Sequence, residues 1–243
     1  MKLPVWILAF IIFQLIAFSP ATAGLELITG IDFESDTLGA HPDASLLLGF
    51  YPTIPSVVGS FSVVDDLDVM TNQYLQAVRT SGPGGFNFGV NFPSEFYTSP
   101  SFRMRWRFVP VAGAPYMFLV LRGPNLAIHG SMTLTSSSVL FSTAYGSQNN
   151  IGVGSFAMGE SVDFDWTVDR ETGVQTLLIN GVVVVDALVT GYHSPAVDAT
   201  RLSFEGALQG AMTVAIDNVE IFAGTGTTPT ETASWGTIKA LYR

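Results

Sequence analysis

Apolar and polar residues alternate with a period of two through much of this chain. In Arg103-Met104-Arg105-Trp106-Arg107-Phe108 the arginines fall on one side, and Met104, Trp106 and Phe108 on the other. In the segment from Val162 to Asp169, Val162, Phe164, Trp166 and Val168 oppose Asp163, Asp165, Thr167 and Asp169. Successive side chains of a strand point to opposite faces, so each segment predicts a half-buried strand with its tryptophan in the core. Similar runs recur from Leu27 to Phe222, divided by Gly, Pro, Asn, Asp and Ser, and none carries a helical period. About thirteen strands and one core's worth of chain predict an all-β, two-sheet antiparallel sandwich.

The punctuation adds detail. Asn180-Gly181 lies between Val174–Ile179 and Val182–Val185. This dipeptide tolerates the positive φ of a type I′ turn and predicts a hairpin. Gly82-Pro83-Gly84-Gly85 reads as another hairpin turn. In the last strand the apolar phase runs Met212, Val214, Ile216, then Val219, Ile221. One inserted residue shifts the phase, which predicts a bulge at Asp217-Asn218. If the Arg103–Phe108 and Val162–Asp169 strands are neighbours, their outward arginines and aspartates form a cross-strand ladder. The alternative is a groove in which the arginines bind an acidic ligand.

Composition narrows the function classes. The chain has 243 residues, 48% hydrophobic and 12% charged, with a net charge of -10 and no cysteine. Disulfide frameworks, thiol nucleophiles and cysteine-ligated metals are excluded. The acidic balance argues against nucleic acid as a partner. Residues 1–23 read as a signal peptide: Lys2, an apolar run from Pro4 to Phe18, and Ala21-Thr22-Ala23 before the expected cut. No later segment is long and apolar enough to span a membrane. The expectation is a secreted or extracellular protein, with periplasm or cell envelope as alternatives. The sandwich would occupy 24–223, a small-residue linker 224–233, and a short tail 234–243, where Ser234 could cap a brief helix.

The opening Ile31-Asp32-Phe33-Glu34 with Gly39 and Pro42 resembles the first strand of the concanavalin A-like lectin/glucanase superfamily, the laminin-G-like jelly rolls of secreted bacterial proteins. Trp166-Thr167-Val168-Asp169 to Thr172-Gly173, followed by Ile179-Asn180-Gly181-Val182, resembles their central hairpin. Val214 to Ile221 resembles their closing strand, with Leu202-Ser203-Phe204 before it. The resemblance implies a jelly roll, a carbohydrate or protein ligand, and in many members a bound calcium. Galactose-binding jelly rolls begin and end similarly and are the second choice.

First and last strands commonly pair in that superfamily, which would bring Asp32 and Glu34 near Asp217. Calcium takes six to eight hard oxygens, and a bulge at Asp217 would free carbonyls beside those carboxylates. Sugar sites need an aromatic platform and nearby amides, and loops offer Tyr145 with Gln148 and Asn149, Tyr192-His193, and Phe96-Tyr97. Hydrolysis needs two facing carboxyl groups. The Glu-x-Asp strand motifs of glucanases on this fold are missing, and Glu160, Asp163 and Asp165 have the wrong spacing. His41, His129 and His193 are isolated and read as surface or turn residues. The reading is a non-catalytic recognition module for an extracellular glycan. The alternatives are a structural or adhesion protein that binds a cell-surface protein, and a divergent glycoside hydrolase.

Overall fold

A computed structural model describes residues 25–40, 42, 46–51, 58–65, 73–81, 85–144, 149–192, 196–206 and 211–224. The strands are β1 (Glu26–Ile31), β2 (Leu46–Tyr51), β3 (Val58–Asp65), β4 (Gln73–Ser81), β5 (Gly85–Asn91), β6 (Ser101–Gly113), β7 (Met117–Arg122) and β8 (Ile128–Leu134). They continue with β9 (Ser138–Ser142), β10 (Asn150–Ser155), β11 (Val162–Asp169), β12 (Val174–Ile179), β13 (Val182–Val189), β14 (Arg201–Gly206) and β15 (Met212–Gly224). They form two antiparallel sheets in a jelly-roll sandwich. The eight-stranded sheet runs β13-β12-β11-β6-β15-β4-β3, with β1 on β15, and the seven-stranded sheet runs β10-β9-β8-β7-β14-β5-β2.

The alternating segments meet as their pattern demands. Trp106 and Trp166 are fully buried. Trp106 stacks on Phe164 of its own sheet at 5.1 Å and meets Phe204 of the other sheet edge-on at 5.8 Å. That contact ties the two layers together through one aromatic cluster.

β6 and β11 are neighbours, with Asp163 opposite Arg107 and Asp165 opposite Arg105. Arg103 donates to both oxygens of Asp165 at 2.8 and 2.7 Å, and Arg105 Nε adds a bond at 3.1 Å. Arg107 holds Asp163 at 2.9 and 3.3 Å. The arginines are thus partners of a carboxylate ladder and line no groove for an acidic ligand. Glu220 lies at 3.9 Å from Arg105, with Oε2 outside hydrogen-bond distance of any donor, and burial raises its carboxyl above the usual range.

The bulge is present. Asp217 pairs with Arg107 and Glu220 with Arg105, so three steps on β15 match two on β6, and Asn218 has φ 50°. Asn180 and Gly181 have φ 50° and 77°, as the turn requires.

Other expectations change. Gly82 to Gly85 joins β4 of one sheet to β5 of the other, so it is a crossing between layers and closes no hairpin within a sheet. Two short strands expected between Leu126 and Thr135 are one strand, β8. Gly130 interrupted the apolar run because a Cβ there would lie 2.5 Å from the Trp166 ring. β2 and β10 were not foreseen; in β10, Asn-Ile-Gly-Val-Gly-Ser, glycines hide the alternation. The signal segment 1–23 and residues 225–243 lie outside the described residues. Among the described residues no helix is long and apolar enough to cross a membrane.

His129 is a correction: it is a strand residue only 2% exposed, and no surface group. Its Nε2–H donates to Asp198 O at 2.9 Å, and its backbone carbonyl accepts from Gln175, whose Oε1 holds the Trp166 indole N–H at 3.1 Å. Burial, reinforced by the Arg170 charge, holds the imidazole below its ordinary pKa of 6.5. A depressed folded-state pKa contributes stability above the unfolded value and loses it as pH falls through the folded one. Urea midpoints are therefore expected to fall between about pH 7 and pH 5, and His129→Gln is expected to flatten that slope. An unchanged slope in the variant would remove His129 as its source.

Candidate ligand-binding face

The outer face of the seven-stranded sheet is built by strand register. On β7, Met117, Leu119 and Leu121 enter the core, so Phe118, Val120 and Arg122 face outward. On β14, Leu202 and Phe204 are core, so Arg201, Ser203 and Glu205 share that outer face. The pairings Arg122–Arg201, Val120–Ser203 and Phe118–Glu205 align them. β5 extends the rows with Asn91, Gly89 and Asn87, and β8 adds Ser131 and Thr133.

The middle row, Ser131, Val120, Ser203 and Gly89, consists of short side chains. The rows beside it carry Phe118, Glu205 and Asn87 on one flank, and Arg122, Arg201 and Asn91 on the other. A low row between two tall ones forms a trough across the strands. Tyr116 meets Phe118 edge-on at 5.4 Å and extends the aromatic flank.

One ion pair spans this trough. Arg122 Nε and Nη2 donate to the two Glu205 oxygens at 2.6 and 2.7 Å. Glu205 sits four residues along β14 from the position opposite Arg122, about 13 Å of strand. Both side chains must therefore extend and meet above the Val120–Ser203 pair. This explains why Ser203 is 0% exposed. Its hydroxyl has no hydrogen-bond partner, which leaves a buried donor and acceptor in the floor. The face thus offers an aromatic edge, amides from β5, a bidentate ion pair and an unused hydroxyl. Such a set holds an extended, hydroxyl-rich molecule by stacking and by hydrogen bonds.

The residues singled out from sequence lie elsewhere. Tyr145 and Gln148 lie outside the described residues. Asn149 is exposed, and its carbonyl accepts from Thr143 N and Oγ1 at 2.8 Å. Tyr192 is near it through the same loop, but only 4% exposed; its hydroxyl bonds Ser142 Oγ at 2.7 Å and donates to Ala144 O at 2.9 Å. It braces the start of the loop from beneath and presents no open ring face. His193 lies outside the described residues. Phe96 and Tyr97 pack against the core.

β1 does pair with β15, Ile31 opposite Val219, which sets Asp32 beside the bulge. Asp32 is exposed and accepts from Glu34 N at 3.3 Å, while Glu34 accepts from Gln73 N at 3.4 Å. Asp217 is 2% exposed, and its carboxylate accepts from the backbone and side-chain amides of Asn218. Among the described residues no group of three His, Asp or Glu side chains is placed to hold a metal.

No family model matches the chain, and no curated protein is similar to it in sequence. Solved structures do share its fold. A carbohydrate esterase from the Shiga toxin-encoding bacteriophage phi24B aligns with a TM-score of 0.60 at 14% identity, over 83% of this chain and 100% of that one. The binding domain of botulinum neurotoxin serotype D/C aligns at 0.54 and 12% identity, over 89% of this chain and 51% of that one. Botulinum neurotoxin type C, whose cell entry depends on two ganglioside molecules, aligns at 0.53 and 13% identity, over 84% and 48%. These likenesses concern fold.

Proposed function

We propose that this chain is a secreted, non-catalytic recognition module of the concanavalin A-like lectin/glucanase superfamily, and that it binds an extracellular glycan on the outer face of the seven-stranded sheet. The observation that carries this reading is the trough: a row of short residues flanked by Phe118 and Asn87, with the Ser203 hydroxyl unused beneath the Arg122–Glu205 pair. The fold shared with a carbohydrate esterase and with a neurotoxin that depends on gangliosides supports it. Both oxygens of Glu205 are held by Arg122. Within the strands of this sheet Glu205 is the one carboxylate among the described residues, whereas glycoside hydrolysis needs two.

The test is a glycan array probed with wild type and with Phe118→Ala. Wild type is expected to bind a defined sugar class, and the variant to lose roughly tenfold or more in affinity, the scale of one lost aromatic contact. Its melting temperature should stay close to wild type, because Phe118 lies outside the core. Full retention of binding by the variant would remove the trough from the reading. Repeating the array in chelator tests calcium at Asp32, Glu34 and Asp217: weaker binding or a lower melting temperature supports the metal, and no change removes it.

A second reading, adhesion to another protein, rests on β13. This edge strand exposes Val182 (64%), Val183 (46%) and Val189 (66%), and an apolar edge is a template for strand addition. Silence on the array with capture of a protein partner that Val183→Lys abolishes would favour it.

A further inference from the structure

Charge is divided unevenly between the two layers. The strands of the eight-stranded sheet carry eight carboxylates against four arginines. Those of the seven-stranded sheet carry two arginines, Arg122 and Arg201, against Glu205 alone. In a chain of net charge -10, the layer with the trough is the positive one.

Among the described residues the arginines are otherwise engaged. Arg103, Arg105 and Arg107 hold the ladder aspartates, Arg122 holds Glu205, Arg170 is bound to backbone carbonyls, and Arg79 is buried with interactions of its own. Arg201 has no hydrogen bond or ion pair to a described residue. It stands directly opposite Arg122 on the neighbouring strand, and like charges so placed repel. Glu205 has committed both oxygens to Arg122, so it cannot relieve Arg201. The unpartnered Ser203 hydroxyl lies two residues away on the same face, and Asn91 faces Arg201 from β5.

We infer that the ligand of this face is an anionic polysaccharide whose carboxylate or sulfate pairs with Arg201 beside Ser203. The inference rests on the glycan reading above and narrows it. A guanidinium gives an oxyanion two parallel, charge-assisted hydrogen bonds, which a neutral sugar cannot use equally. A ligand anion also relieves the repulsion between Arg122 and Arg201. The acidic remainder of the protein lies mostly beyond a screening length of about 8 Å at physiological salt, so the local pair of arginines decides the preference.

The test compares polygalacturonate with its fully methyl-esterified form, and carrageenan with agarose, using wild type, Arg201→Gln and Phe118→Ala. Wild type is expected to bind at least one acidic polymer roughly tenfold more tightly than its neutral counterpart, and less tightly as salt rises. Which pair shows the preference identifies carboxylate or sulfate. Arg201→Gln should lose the preference while keeping neutral affinity and melting temperature, whereas Phe118→Ala should weaken acidic and neutral binding alike. Equal binding of acidic and neutral polymers, unchanged in Arg201→Gln, overturns the anionic ligand and leaves the glycan reading standing. No binding to any of the four polymers by wild type, together with silence on the array, overturns both.

Discussion

Replacing Arg170 with methionine is expected to cost about 4 kcal/mol of stability and to open two loops at one end of the sandwich. Arg170 follows β11 and is 3% exposed. Its Nη1 donates to Tyr97 O at 2.9 Å and Ser99 O at 2.7 Å, and its Nη2 donates to Val197 O. One side chain thus satisfies carbonyls from the segment before β6 and from the segment before β14. Methionine keeps the aliphatic stem and fills much of the volume, so the loss isolates the hydrogen bonds. Each buried carbonyl left without a donor costs about 1–3 kcal/mol. Urea unfolding measures the total, and limited proteolysis is expected to cut first near residues 94–100 and 196–200. A loss below about 1 kcal/mol would mean that water replaces the guanidinium without penalty.

Asp165→Ala is the second large effect, expected to cost about 3 kcal/mol. Asp165 is the junction of the ladder, taking two bonds from Arg103 and one from Arg105. The arginine side chains are only 11% and 5% exposed. Removing the carboxylate leaves two cations side by side in a place where water reaches them poorly. The cost arises from those stranded charges more than from the lost attraction. The double variant Arg103→Met/Asp165→Leu is accordingly expected to be more stable than Asp165→Ala alone. A double variant that falls by the sum of the two single losses would contradict this explanation.

The parts legible from the sequence were those where neighbouring residues differ in kind. β6 and β11 alternate charged with aromatic residues, so their faces, their pairing and their ladder could be read directly. The bulge was legible because one inserted residue shifts the apolar phase at Asp217-Asn218, and the turn because Asn-Gly tolerates positive φ. The trough was not legible. In β7, Met117-Phe118-Leu119-Val120-Leu121, both faces are apolar, so outward Phe118 cannot be told from inward Leu119 by pattern. β14 does alternate, Arg201 and Glu205 against Leu202 and Phe204, but its outer face acquires meaning only beside β5 and β7, more than a hundred and about eighty residues away. Tyr192 shows the converse. A tyrosine in a polar turn reads as a binding residue, whereas here its hydroxyl turns inward to Ser142 and Ala144.

Amide NMR of the labelled protein, titrated with the best polysaccharide from the array, locates the ligand directly. Shifts are expected to concentrate on Asn87–Asn91, Phe118–Arg122 and Arg201–Glu205, the three central strands of the trough. Shifts confined to residues 142–149 and 190–192 would place recognition at the loop end of the sandwich and contradict a binding face built on the seven-stranded sheet.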